Sequence, residues 1–289
     1  MTTTQSTTAS TIAKVPRAVG ARKSAPAAAA TPAARPAVSA EGLLKILELG
    51  RGSDAIELKL SVPADEHRAT IKSLKLDPVE AQPRQAYFFD TANLDLSKAG
   101  LVVRARRIQG GTADTVVKLR PVDPAKIDPK LRGLPNFKVE LDVVPGGFVC
   151  SASFKGTCTG KDVLDMTAGK IPLSALFSKE QRAFYKEHAP TGMKMKSLVT
   201  LGPTFLLKAK HKPKTFDRGV TVEMWLYPDG SRILEISTKC LPQEALNVAT
   251  EFKDFLAKSG INISAIQETK TKNVLDFFSK NLGAAQKAG

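Results

Sequence analysis

The sequence predicts an α+β fold in which short, antiparallel β-strands carry a doubly charged face and amphipathic helices pack on their apolar side. Three observations predict it. The stretch Ala55-Ile56-Glu57-Leu58-Lys59-Leu60 alternates strictly, so that Ile56, Leu58 and Leu60 share one face of a strand and Glu57 and Lys59 the other. The same design recurs in Leu101 to Ile108 (Arg104, Arg106), Thr115 to Arg120 (Lys118, Arg120), Phe137 to Val143 (Lys138, Glu140, Asp142), Phe205 to Lys210 (Lys208, Lys210), Val220 to Leu226 (Glu223) and Ile233 to Lys239 (Glu235, Ser237). Finally, Gln243 to Ser259 repeats apolar residues at helical spacing. Such strands form either an open sheet whose charged face meets water or a closed barrel whose charged faces line a lumen under outer helices. Burying so many ionisable groups costs many kcal/mol unless they pair with one another or with a charged ligand, so a closed lumen would have to be a binding site.

The elements follow in order. Residues 1 to 40 are rich in Ala, Thr and Pro and hold Lys14, Arg17, Arg22, Lys23 and Arg35 without an acid, which reads as a disordered basic tail. Its composition also resembles a transit peptide, but Pro16, Pro26, Pro32 and Pro36 interrupt any long amphipathic helix. Glu41 to Leu49 is a lead-in helix ended by Gly50 and Gly52. After the first strand, Pro63-Ala64-Asp65 opens a helix from about 64 to 76. Gln85 to Asp90 is a strand running into the turn Asp90-Thr91-Ala92-Asn93, Leu94 to Ala99 is a short turn or helix, and Gly100 resets the chain. Gly110-Gly111 closes a hairpin. Residues 150 to 200 lack strong alternation; Gly156, Gly160 and Gly169 suggest loops, and Leu173 to Glu187 a helix. Pro228-Asp229-Gly230 turns the last strands, the helix of 243 to 259 carries Ala245, Leu246, Ala249, Phe252, Phe255 and Leu256 on one stripe with Gly260 as its cap, and Asn273 to Leu282 is a final helix.

Composition narrows the partner. The net charge of +15 divides into five from the tail and ten from the body, so the body itself calls for an anionic partner: nucleic acid, a membrane surface or a phosphorylated small molecule. Aromatic residues make up only 6%, too few for the stacking platforms of single-strand binders, so nucleic acid is not the expected partner. Cys150, Cys158 and Cys240 have neither CxxC spacing nor a neighbouring histidine, which argues against zinc or a disulfide framework and for a reducing, cytoplasmic compartment. No run approaches the roughly eighteen apolar residues of a membrane helix. His67, His188 and His211 fall in surface segments outside any triad-like pattern, so a serine or cysteine hydrolase has no support.

From about residue 53 to 280 the chain resembles the CYTH superfamily, the triphosphate tunnel metalloenzymes, which includes class IV adenylate cyclases, thiamine triphosphatases and inorganic triphosphatases. Ala55-Ile56-Glu57-Leu58-Lys59 lies on the family's Glu-x-Glu-x-Lys motif with its first Glu replaced, and Tyr87-Phe88-Phe89-Asp90-Thr91 resembles its Tyr-Phe-Asp-Thr segment. The run from Leu94 through Ala99-Gly100-Leu101 to Arg104 and Arg106 matches another family signature, and Thr269-Lys270-Thr271-Lys272 resembles its Ser-Lys segment before the closing helix. The resemblance implies a closed antiparallel eight-stranded β-barrel over residues 41 to 282, with a longer insert at about 150 to 200. Its lumen would bind a triphosphate-containing small molecule together with Mg²⁺ or Mn²⁺.

By this matching Glu57, Glu140, Asp142, Glu223 and Glu235 would be metal ligands, since carboxylates suit hard divalent ions. Arg104, Arg106, Lys118, Arg120, Lys138, Lys208, Lys210 and Lys272 would hold phosphates. Lys59 would serve catalysis, activating a water if neighbouring cations depress its pKa. The implied function is metal-dependent triphosphate hydrolysis. Two departures, Ala55 and Ser237, remove acids from the metal side and favour the alternative of a catalytically impaired polyphosphate- or nucleotide-binding protein; a class IV-type adenylate cyclase would use the same lumen. The oligomeric state stays open, a homodimer included.

Overall fold

A computed structural model of the chain describes residues 39–263, residue 267 and residues 270–287, with side chains to residue 282. The expected basic tail lies almost wholly outside the described residues. Among them, β1 (Ala55–Val62), β2 (Gln82–Asp90), β3 (Leu101–Ile108), β4 (Ala113–Leu119), β5 (Phe137–Val144), β6 (Gly147–Cys158), β7 (Val199–His211), β8 (Val220–Leu226) and β9 (Arg232–Cys240) pair in the order β1-β5-β6-β4-β3-β2-β7-β8-β9 and close into a barrel. Closure decides between the two arrangements the strand pattern allowed.

The barrel has nine strands rather than the expected eight, and it is mixed rather than wholly antiparallel. Its extra strand is β6, which the sequence presents as loop. The inward side of β6 carries Ser151 and Ser153, small residues that mute the contrast with Cys150, Ala152 and Phe154 opposite. Gly156 adds to the loop-like appearance, yet its lack of a side chain serves packing: a Cβ there would lie 2.5 Å from Gln181 Oε1 and 2.8 Å from Thr115 Oγ1. An odd number of strands cannot alternate direction all the way round a closed ring, so one neighbouring pair has to run parallel. That pair is β1 and β5, with Glu57 opposite Asp142.

The helices are α1 (Ala40–Arg51), α2 (His67–Ser73), α3 (Asp95–Lys98), α4 (Pro129–Arg132), α5 (Gly160–Thr167), α6 (Lys179–His188), α7 (Ala245–Lys258) and α8 (Lys270–Lys287). The larger core lies between the outer strand faces and these helices, and includes Ile56, Leu58, Leu60, Val103, Ala105, Val139 and Leu141. Their sequence neighbours Glu57, Lys59, Arg104, Glu140 and Asp142 point the other way, into the barrel. Over the expected insert, α6 begins with a capping box in which Ser178 Oγ accepts from the Gln181 N–H and Gln181 Oε1 accepts from the Ser178 N–H. Phe184 of this helix then meets Phe137 and Phe154 edge-on, at centroid distances of 5.8 and 5.5 Å.

On α7, Val248, Phe252, Phe255 and Leu256 are buried, while Leu246, expected on that stripe, is 58% exposed because it falls on the opposite side of the turn. His67, expected at the surface, is buried with its Nε2 3.0 Å from the Val62 carbonyl, to which it donates. A second, smaller cluster joins Phe88, Val102, Trp225 and Ile233 to Val274 and Leu275 of α8.

Local chemistry fixes the segment before β3. Asp90 accepts backbone N–H bonds from Thr91, Leu96 and Ser97 at 2.7, 2.8 and 2.9 Å, which shapes the turn and holds α3. Gly100 follows at φ +77°, where a Cβ would stand 2.3 Å from the Arg120 carbonyl oxygen. Only glycine fits, and Arg104 and Arg106 are thereby phased onto the inner face.

Candidate functional site

The inward residues enclose a cavity of about 650 Å³. Twelve of the fourteen expected site residues line it, the exceptions being Lys138, which is exposed at the start of β5, and Lys272, which is exposed on α8 and pairs with Asp276. The lining holds ten lysine or arginine side chains against five carboxylates, an excess of five positive charges.

On β3, Arg106 forms a fork with Asp114, its Nε 3.0 Å from both carboxylate oxygens and its terminal nitrogen 2.8 Å from Oδ2. Arg104 lies beside it, 4.0 Å from Asp114, and its buried Nε has no hydrogen-bond partner among the described residues. Burial, reinforced by the Arg106 guanidinium, pushes Arg104 down to about 9, so it stays charged at neutral pH while lacking a full counter-anion.

Around β1 the charges are matched. Lys59 Nζ lies 3.1 Å from Asp142 and 3.4 Å from Glu57; Lys118 contributes a 3.3 Å contact to Asp142. Lys239 lies 3.5 Å from Glu57 and 2.7 Å from Glu140, which also meets Lys155 at 3.2 Å. Burial alone would lower Lys59, but Glu57, Asp142 and Glu235 outweigh it and hold Lys59 well above the usual lysine range. The condition on which Lys59 would activate a water, a pKa depressed by neighbouring cations, is therefore not met, because Glu57, Asp142 and Glu235 dominate its surroundings. Lys118 shifts the other way, pushed down by burial that Asp142 only partly offsets.

The second group of acids is on β8 and β9, where Glu223 faces Glu235 across the strands. Lys208 lies 3.1 Å from Glu223. Lys270, the first residue of α8, places its Nζ 2.7 Å from Glu223 and 2.6 Å from Glu235, with the Trp225 ring centroid 5.2 Å away. Lys270 therefore stands in the lumen where Lys272 was expected, while the helix turns the second lysine of Thr-Lys-Thr-Lys to solvent.

Lys155, Lys239, Asp114 and Lys270 belong to this network and were not among the expected site residues. Lys239 continues the alternation of Glu235 and Ser237 and was visible in the sequence; Lys155 was hidden with β6. Asp114 stands just before the strand as read from sequence, beside the Gly-Gly turn.

Mg²⁺ or Mn²⁺ is the ion the resemblance implies, and the acids do not fit it. Among the described residues no three of Asp, Glu, His and Cys converge on one point, whereas these ions take about six oxygen ligands. The facing pairs Glu57 with Asp142 and Glu223 with Glu235 each hold a lysine ammonium instead. Ala55 stands opposite Glu140, and Ser237 opposite Lys59, where further carboxylates would have been needed.

The network sets an acid limit on stability. Burial would raise Glu140 and Asp142, but Lys239 with Lys155, and Lys118 with Lys59, hold each at about 2, against 4.5 and 3.8 for the free side chains. Both groups have depressed folded-state values, so their stabilisation is complete above about pH 5 and is lost as pH falls toward 2. Denaturant unfolding is expected to stay level between pH 7 and 5 and then to lose on the order of 3 kcal/mol by pH 3; a level curve down to pH 3 would contradict these pairings.

No protein-family model and no curated protein matches the sequence. Solved structures do match the fold. A putative adenylyl cyclase from Hippeastrum, HpAC1, described as having a dominant triphosphatase activity, superposes with a TM-score of 0.56 at 17% identity over 75% of this chain and 92% of its own. A putative adenylate cyclase from Bacillus halodurans gives 0.54 at 14% identity over 76% and 97%. At such identities the likeness speaks for architecture alone, and on that ground the chain shares its barrel fold with these two structures.

Proposed function

We propose that this chain binds a triphosphate-containing small molecule inside its barrel, with the phosphates laid against Arg104, Arg106, Lys118 and Arg120. The observation that carries the reading is Arg104: a half-buried guanidinium whose buried Nε is unpaired, set in a cavity with a cationic excess. A guanidinium in that state is costly without an anion, and a phosphate oxygen supplies one through a charge-assisted bond. Asp114 orients Arg106 toward the same wall, and Asp142 holds Lys118 and Lys59 in reach of it. No helix among the described residues is long and apolar enough to cross a membrane; the free thiols Cys150, Cys158 and Cys240 support a cytoplasmic setting.

Hydrolysis of inorganic or organic triphosphate with Mg²⁺ or Mn²⁺ is the second reading. It is favoured by the Glu57 and Lys59 pair kept on β1 and by the triphosphatase activity ascribed to the Hippeastrum protein. Against it, a Lys59 kept protonated by its acidic neighbours cannot take a proton from water. The test is phosphate release from inorganic triphosphate, ATP and thiamine triphosphate with Mg²⁺, Mn²⁺ or EDTA, alongside calorimetric binding of the same compounds. Binding without turnover is expected. Metal-dependent release that Glu57→Ala abolishes would establish the hydrolase, and failure to bind any of the three would overturn both readings.

A further inference from the structure

We propose that the Lys270 ammonium takes the place of a divalent cation in this tunnel, so that a phosphate chain binds there as the free anion without metal. The proposal rests on the reading of the tunnel as a triphosphate site, and it follows from how thoroughly the facing acids Glu223 and Glu235 are occupied. Lys270 Nζ lies 2.7 Å from Glu223 Oε2 and 2.6 Å from Glu235 Oε1. The other oxygen of Glu223 accepts from Lys208 at 3.1 Å, and Trp225 Nε1 donates to Oε2 at 3.3 Å. A magnesium ion would need the same oxygens at about 2.0–2.1 Å, so it cannot join the pair without expelling the ammonium.

Expulsion is opposed from three sides. The ammonium lies 5.2 Å from the face of Trp225, a cation–π arrangement. Tyr227 Oη donates to the Lys270 carbonyl at 3.2 Å. Four and five residues on, Val274 and Leu275 are 0% and 4% exposed in the cluster that contains Trp225, which anchors the first turns of α8. Lys270 is thus a fixed cation rather than a mobile surface lysine. Charge makes a metal superfluous as well: the lining already carries five more positive than negative groups, and a phosphate chain is a multiply charged anion at neutral pH. The two acids keep a function in this scheme, which is to hold Lys208 and Lys270 in place.

Calorimetry of the full chain with sodium tripolyphosphate, in EDTA and in excess Mg²⁺, should give an affinity in EDTA equal to or tighter than that in Mg²⁺; an affinity more than about threefold weaker in EDTA overturns the proposal. Manganese uptake without phosphate, read from loss of the free-ion paramagnetic resonance signal, should be at least about tenfold tighter for Lys270→Met than for the unaltered chain, because two carboxylates are released; equal uptake also overturns it. Lys270→Gln repeats this measurement if the methionine variant does not fold, and the titrations of the unaltered chain depend on neither. Should tripolyphosphate bind in neither buffer, the functional reading falls, while manganese uptake by the variant still decides the part played by Lys270.

Discussion

Replacing Arg104 with alanine is expected to weaken triphosphate binding by about 100-fold while leaving the fold intact. A charge-assisted hydrogen bond contributes roughly 1.5–3 kcal/mol, and about 1.4 kcal/mol is a factor of ten in affinity. The loss should be confined to binding because Arg104 is poorly matched by the protein itself. Its nearest acid, Asp114, keeps the bidentate fork from Arg106 when Arg104 is removed. Arg104→Ala therefore leaves no stranded anion and removes a half-buried cation whose buried Nε is unpaired, so its unfolding midpoint should hold or rise. Arg104→Lys keeps the charge without the fork and should recover part of the affinity. Calorimetry and denaturant unfolding on the same preparations separate the two effects; an unchanged dissociation constant for Arg104→Ala would remove the phosphates from this wall.

Glu223→Ala should do the reverse and strike stability. Glu223 accepts from Lys208, Lys270 and Trp225, and the two lysines pull it far below the usual carboxylate range even though burial pushes it upward. Removing it strands two partly buried ammonium groups, of which Lys270 retains only Glu235. Breaking a buried ion pair from one side costs about 3–5 kcal/mol, and unfolding at neutral pH should register a loss of that order. The double variant with Lys270→Met should recover a good part of it, since the stranded charge is removed as well. A loss below about 1 kcal/mol for Glu223→Ala would mean that the cluster is solvated rather than structural.

The two variants also show why the tunnel's charges differ in kind. Acids at Glu57, Glu140, Asp142, Glu223 and Glu235 are saturated by lysines, whereas the arginine wall of β3 is under-matched. That asymmetry is what an entering anion would find.

Much of the barrel and its charged lining is legible in the sequence itself. The alternation of Ile56, Leu58 and Leu60 with Glu57 and Lys59, and of Val103 and Ala105 with Arg104 and Arg106, reports strand faces directly, because the period of two is a property of a single strand's backbone. Gly100 can be placed ahead of β3 for a similarly local reason, since the turn needs a positive φ. Where the signal is local but weak, as in Gly147–Cys158 with its serines and Gly156, a whole strand is lost from view. Lys138 and Lys272 fall outside the cavity for other reasons: alternation assigns Lys138 to a face but not to a height along the barrel, and motif position does not say which lysine of α8 the docked helix turns inward.

The amino-acid order alone, then, determined eight of the nine strands, which face of each is charged, and that the charged faces as a set would suit an anion. Tertiary structure decided the rest. The parallel pairing of β1 with β5 follows from closing an odd ring and brings Glu57 opposite Asp142. The docking of α8 brings Lys270, 47 residues from Glu223, onto the carboxylate pair of β8 and β9. Which cation meets which acid depends on register and closure between distant segments, and Coulomb energies change with ångström separations that no spacing within one strand specifies.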